Sequence, residues 1–165
     1  MTARLLIVGG GRMGGALLGG LLRSGWATPD DLVVVEPVAE RRDELAIEHP
    51  GVRVVEAPEP GLLGTDGERL PGAVLAVKPD AAEAACRAMA LGGVTRVLSI
   101  VAGVPSGRLE TALRGEPTVV RAMPNTPALV GAGATAIAGG SFATSRDLAW
   151  AEEILGAVGS VVRLP

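Results

Sequence analysis

The chain has 165 residues, the size of one ordinary domain with a substantial buried core. Hydrophobic residues make up 48% of it but only Trp26, Phe142 and Trp150 are aromatic, so Val, Leu, Ile and Ala must build that core. A net charge of −3 without any Lys/Arg block excludes a nucleic-acid footprint, and no apolar stretch reaches the ~18 residues of a membrane span.

The first residues run directly into a short strand at 5–8, which is no signal peptide, and a cytoplasmic protein is expected. Gly9-Gly10-Gly11 follow, then apolar Ala16, Leu17, Leu21 and Leu22 at helical spacing over 13–23, with Gly25 as stop signal. Gly19 and Gly20 inside that helix cost about 1 kcal/mol each against alanine, and close packing on the sheet is their expected compensation. Residues 32–35 read as a second strand and 38–48 as a charged helix, on which Arg41-Arg42 sit among acids as a solvated face. His49 precedes Pro50-Gly51 in a turn; as the sole histidine beside one cysteine, it forms no zinc site. A third strand at 52–55 leads into a polar loop over 57–71 with one helical turn.

The fourth strand, 73–77, ends in Lys78-Pro79 and precedes a helix over 80–90 that carries Cys86 as a reduced thiol. A strand at 96–100, a short helix at 105–114 and a strand at 118–121 come next. Residues 134–138 suit a seventh strand running antiparallel to the others. Thr144 and Asp147 form a capping pair that opens a helix to about residue 155, with Trp150 packed in the core, before a last strand at 158–164. This alternation predicts a single α/β domain over 1–165, a Rossmann-type, doubly wound and mostly parallel sheet with helices on both faces.

The spacing Gly9-x-Gly11-x-x-Gly14 falls between the first strand and the first helix, the setting in which it cradles a dinucleotide. Gly9 permits the tight turn, Gly11 lets the backbone approach a pyrophosphate, and Gly14 allows helix to pack on strand. The helix N-terminus adds free N–H groups and a positive dipole end. Glu36 ends the second strand 22 residues after Gly14, where an acid accepts hydrogen bonds from the adenosine ribose. Its charge would repel the 2′-phosphate of NADP, so Glu36 favours NAD; an inward swing of Arg41 or Arg42 would admit NADP, and the choice stays open. Lys78 suits either a contact to cofactor phosphate or a solvated position before a helix-opening proline. The amide of Asn125, in a rigid Pro-flanked loop, suits either the nicotinamide carboxamide or the capping of its own turn.

Four ordered segments resemble the pyrroline-5-carboxylate reductase family. They are Ile7-Val8-Gly9-Gly10-Gly11-Arg12-Met13-Gly14, Leu75-Ala76-Val77-Lys78-Pro79, Ser99-Ile100-Val101-Ala102-Gly103-Val104 and Val120-Arg121-Ala122-Met123-Pro124-Asn125-Thr126-Pro127. The similarity spans essentially the whole chain. It implies that Arg12 and Met13 cover the pyrophosphate and that Ala76, Val77, Lys78 and Pro79 line the nicotinamide half of the cofactor. It further implies that Ala102 and Gly103 approach the nicotinamide ribose and that Asn125 sits near ring and substrate. Glu36-Pro37 departs from the small polar residue common among members that use NADP.

The resemblance also implies the reaction, hydride transfer from NADH or NADPH to the C=N bond of 1-pyrroline-5-carboxylate to give L-proline. No catalytic residue and no metal is expected in this chain. The cyclic imine and the contacts of a homo-oligomer are expected to belong to a C-terminal helical domain that is absent here, leaving an inactive fragment that can stand as a monomer. Two other readings stand beside this one: a non-catalytic dinucleotide-sensing or interaction module, and a methyltransferase, against which the glycine spacing and Val77-Lys78-Pro79 weigh.

Overall fold

The computed structural model describes residues 3–64 and 71–165. In chain order the elements are β1 (Leu5–Val8), α1 (Arg12–Arg23), β2 (Leu32–Val35), α2 (Ala39–Glu48), β3 (Arg53–Val55), β4 (Gly72–Leu75), α3 (Ala82–Met89), β5 (Arg96–Ser99), α4 (Ser106–Ala112), β6 (Thr118–Met123), β7 (Gly133–Gly139), α5 (Ser145–Leu155) and β8 (Gly159–Arg163). The strands form one sheet in the order β3-β2-β1-β4-β5-β6-β7-β8. β1 to β6 are mutually parallel, β7 runs antiparallel to β6, and β8 pairs parallel to β7.

Every residue of β1, β2 and β4 is buried, because both faces of the sheet are covered. Alternate side chains point to opposite faces. Leu5, Ile7, Val34, Val74 and Leu98 meet Leu17, Leu18 and Leu21 of α1, Leu45 of α2 and Trp150 and Ile154 of α5. Leu6, Val8, Val33, Leu75 and Val97 meet Cys86 and Met89 of α3 and Leu109 of α4 on the other face. The doubly wound α/β architecture is therefore the one expected, down to the antiparallel β7. Asp147 accepts the Thr144 N–H at 2.8 Å and closes the capping box that starts α5. Trp150 is core packing, 7% exposed, with the Arg96 guanidinium over its ring at 4.4 Å.

Three expectations are corrected. β4 and β5 stop at Leu75 and Ser99, short of the expected 77 and 100; Ala76 and Ile100 each still donate one N–H to the neighbouring strand, to Val8 and Leu75 at 2.8 and 3.0 Å. The helix expected over 80–90 begins as a 3-10 turn at Pro79–Ala81 and becomes α-helical only from Ala82. Gly20 is packed against the turn between α5 and β8, where a Cβ would lie 2.8 Å from the Ala157 carbonyl oxygen and 2.9 Å from Val158, while Gly19 faces Arg23 and His49. Neither glycine is explained by close approach to the sheet. Of the loop expected over 57–71, residues 65–70 lie outside the described residues; upstream of them Ala3 and Leu63 form an isolated parallel bridge. No helix among the described residues is long and apolar enough to cross a membrane.

Candidate dinucleotide-binding site

The chain winds from β1 outward through β2 to β3, then crosses back to place β4 on the other side of β1. The loops leaving β1 and β4 diverge at this switch point, and open α/β sheets bind ligands in the crevice so formed. Both loops are drawn together here. Gly9 has a φ of +108°, and a Cβ on it would overlap the Ala76 carbonyl group. Gly14, buried in the first turn of α1, lies against the Gly9 carbonyl with Ala76 Cβ 3.5 Å from where its own Cβ would be. Gly11, the N-cap of α1, has nothing within 4 Å of the corresponding point. Two glycines thus allow backbone to touch backbone, and the third faces open space at a helix N-terminus whose first-turn N–H groups have no intrahelical partner.

Glu36 is 8% exposed at the end of β2. Its Oε2 accepts the Gly10 N–H at 2.9 Å and its Oε1 accepts the Val38 N–H at 2.9 Å. The carboxylate therefore latches the glycine loop. Each oxygen keeps a second lone pair for a hydroxyl donor. Arg42 Nη1 donates to the carbonyls of Glu36 and Pro37 at 3.0 and 2.7 Å. Arg41 leans the other way. Its Nε donates to the Gly10 carbonyl at 2.6 Å and its Nη1 to Glu44 and Glu48 at 2.8 and 3.3 Å. Those two carboxylates raise the guanidinium pKa above its ordinary value, with the Glu44 hydrogen bond the largest cause. The pair is thus not the solvated face that the charge pattern suggests, since both arginines grip backbone.

Arg12 is exposed and Met13 half-buried at the start of α1. A cavity of about 290 Å³ beside that helix brings Arg12 together with Gly15, Arg41, Glu48 and Leu129. Along the same sheet edge, Val35, Val8, Leu75, Ser99 and Arg121 form one row across five parallel strands. Ala76-Val77-Lys78-Pro79 leaves β4 just past this row, with Lys78 and Pro79 exposed. Ala102 and Gly103, both exposed, follow β5, and Gly103 has a φ of +73°. Asn125 follows β6, and its Oδ1 accepts the Ala134 N–H at 2.9 Å. That oxygen ties the loop to β7 and does not cap its own turn over 126–130, which has no side-chain cap.

Sequence reasoning passed over Gly10 and Leu45. A Cβ on Gly10 would come 2.5 Å from Leu45 Cδ1 and 3.2 Å from Glu36 Oε2, so the middle glycine is as constrained as its neighbours. The signal was the run of three glycines, read only for its G-x-G-x-x-G positions. Cys86 is buried in the core under α3, and His49 faces Gly19 of α1 and Glu48. Burial pushes the Cys86 thiol up to about 11 and lowers the pKa of His49.

The profile of the family described as NADP oxidoreductase, coenzyme F420-dependent, matches residues 4–103. The chain belongs to this family. Its similarity to proteins named pyrroline-5-carboxylate reductase extends further. One from Synechocystis is 40% identical over 169 residues, covering 100% of this chain and 60% of that protein. One from Mycobacterium tuberculosis is 39% identical over 171 residues, covering 99% and 55%. The solved structure of a pyrroline-5-carboxylate reductase from Coxiella burnetii superposes with a TM-score of 0.86 at 30% identity, over 100% of this chain and 60% of that one. A Plasmodium falciparum pyrroline carboxylate reductase with NADP bound shares the fold, with a TM-score of 0.75 at 23% identity over 99% and 58%. The chain thus spans about 55–60% of the length of these relatives.

Proposed function

We propose that this chain binds NAD or NADP as the cofactor domain of a pyrroline-5-carboxylate reductase. The single observation that carries the reading is the glycine loop, latched by Glu36 and stacked on Ala76 at the switch point of the sheet. The residues fit a dinucleotide. Gly11 and the α1 N-terminus would receive the pyrophosphate, Arg12 and Met13 would cover it, and Glu36 would accept the adenosine ribose hydroxyls. Ala76 to Pro79, Ala102, Gly103 and Asn125 would line the nicotinamide half, each lying just past a strand end.

A bound reduced nicotinamide supplies hydride to the C=N carbon of 1-pyrroline-5-carboxylate. This chain's part is to fix the plane and distance of the ring. A protonated imine accepts hydride readily, so no catalytic acid is assigned here. We place the contacts to the substrate carboxylate and the homo-oligomer interface in a helical domain beyond the matched length. The whole acts as a cytoplasmic enzyme of proline biosynthesis.

Glu36 leans the cofactor choice to NAD, because a 2′-phosphate beside a buried carboxylate is repelled. Arg42, already at the carbonyls of Glu36 and Pro37, is the cation best placed to oppose that lean. Calorimetric titration of the chain with NADH and NADPH tests the reading. Tighter NADH binding that weakens in Glu36→Ser supports it, and binding of neither cofactor sinks it. Tighter NADPH binding keeps the domain and reverses the preference.

A further inference from the structure

The glycine loop is held at two successive peptide groups, from two different elements. Glu36, at the end of β2, takes the N–H of the Gly9–Gly10 peptide. Arg41, on α2, takes the carbonyl of the Gly10–Gly11 peptide. Described peptide bonds are all trans. In a planar trans peptide the C=O and N–H point in opposite directions. Fixing the Gly10 carbonyl toward α2 therefore turns the Gly11 N–H away from α2.

We infer that Arg41 is a positioning residue for the dinucleotide, holding the Gly10 carbonyl so that the Gly11 N–H is presented to the pyrophosphate. This deepens the proposed function and rests on it. Three features support the assignment. Gly11 is exposed, and a Cβ built on it would meet nothing within 4 Å, which leaves room for a ligand at the start of α1. The Arg41 side chain is 24% exposed, and Glu44 and Glu48 hold its Nη1. A guanidinium fixed at Nε and Nη1 is committed to the loop, so Arg41 serves both cofactors equally and does not read the 2′-phosphate. Leu45 seals the arrangement by packing on Gly10 from the same helix.

The test uses Arg41→Met and Arg41→Lys in the whole chain, with two readouts. Calorimetry with NADH and NADPH should show both affinities falling by the same factor in Arg41→Met, at least about tenfold for a lost charge-assisted hydrogen bond. Arg41→Lys, which can still donate to a carbonyl, should restore part of the loss. The second readout needs no cofactor. In ¹⁵N–¹H spectra the Gly11 amide should shift and exchange faster in Arg41→Met, with the melting temperature unchanged and the Lys variant intermediate. A loss confined to NADPH overturns the inference, since it makes Arg41 a reader of the 2′-phosphate. An unmoved Gly11 amide in Arg41→Met overturns it as well. If the parent chain binds neither cofactor, the proposed function fails, and the amide readout still decides whether Arg41 orients the loop.

Discussion

Gly72 lies against the indole of Trp150, so close that a Cβ there would come 3.0 Å from Cη2 and 3.1 Å from Cε2. The first residue of β4 thus leaves room for the Trp150 indole, and the Arg96 guanidinium covers the ring. Gly72→Ala forces Trp150 out of its slot. Overpacking of this kind costs about 1–3 kcal/mol. Chemical denaturation should show the loss, accompanied by a red shift of tryptophan emission; an unchanged midpoint would mean that the indole has room to slide.

Gly10→Ala should act on the site rather than the core. Its methyl group meets Leu45 and Glu36, and Leu45 is fully buried with nowhere to retreat. The expected result is weakened binding of NADH and NADPH alike, with a stability loss of about 1 kcal/mol. Gly11→Ala is the comparison, because open space surrounds that position. It should leave the melting temperature nearly unchanged while still hindering a pyrophosphate. Equal thermal losses in the two variants would contradict this division.

Asp147→Ala removes the carboxylate that receives both the N–H and the hydroxyl of Thr144, at 2.8 and 3.0 Å. Loss of a helix cap costs about 1 kcal/mol. Since Asp147 is buried, the loss should fall at the upper end of that scale, about 2 kcal/mol, in a urea titration.

Alkaline pH should unfold the chain chiefly through Cys86. Burial raises its thiol from 9.0 to about 11, so the folded state disfavours the thiolate. The contribution of this group is fully present below about pH 9 and is lost as pH rises from 9 to 11, because only the unfolded chain ionises freely in that window. Two pKa units correspond to about 2–3 kcal/mol. The chain has no tyrosine, and Lys78 is its one lysine, so few other groups compete. Cys86→Ala should flatten the stability profile between pH 9 and 11. A profile with the same slope in both proteins would place the alkaline transition elsewhere.

Strand and helix types were legible because β1, β2 and β4 are uninterrupted aliphatic runs and α5 opens with a capping pair. Strand ends were not, since Ala76 and Ile100 continue an apolar pattern past the last paired residues and each still donates its N–H to the neighbouring strand. Within the site, the glycine spacing and the acid at Glu36 could be found by position alone. The partners of Gly10 could not: Leu45 and Arg41 reach it across the turn of a helix more than thirty residues later, and nothing local in the sequence signals that meeting. Gly20 misled for a related reason, its neighbour being a turn near the other end of the chain.

The row Val35–Val8–Leu75–Ser99–Arg121 carries a consequence for how the crevice tolerates change. Every loop of the candidate site hangs from this one line of residues, and the strands behind it are buried on both faces. A strand of that kind cannot drift by a fraction of a residue. It keeps its register, or slips by one and exchanges the side chains of its two faces. The alignment of the loops is therefore quantised, inherited from the core like notches on a ruler. Substitutions in the loops tune affinity continuously, while any change large enough to misalign them dismantles the fold first.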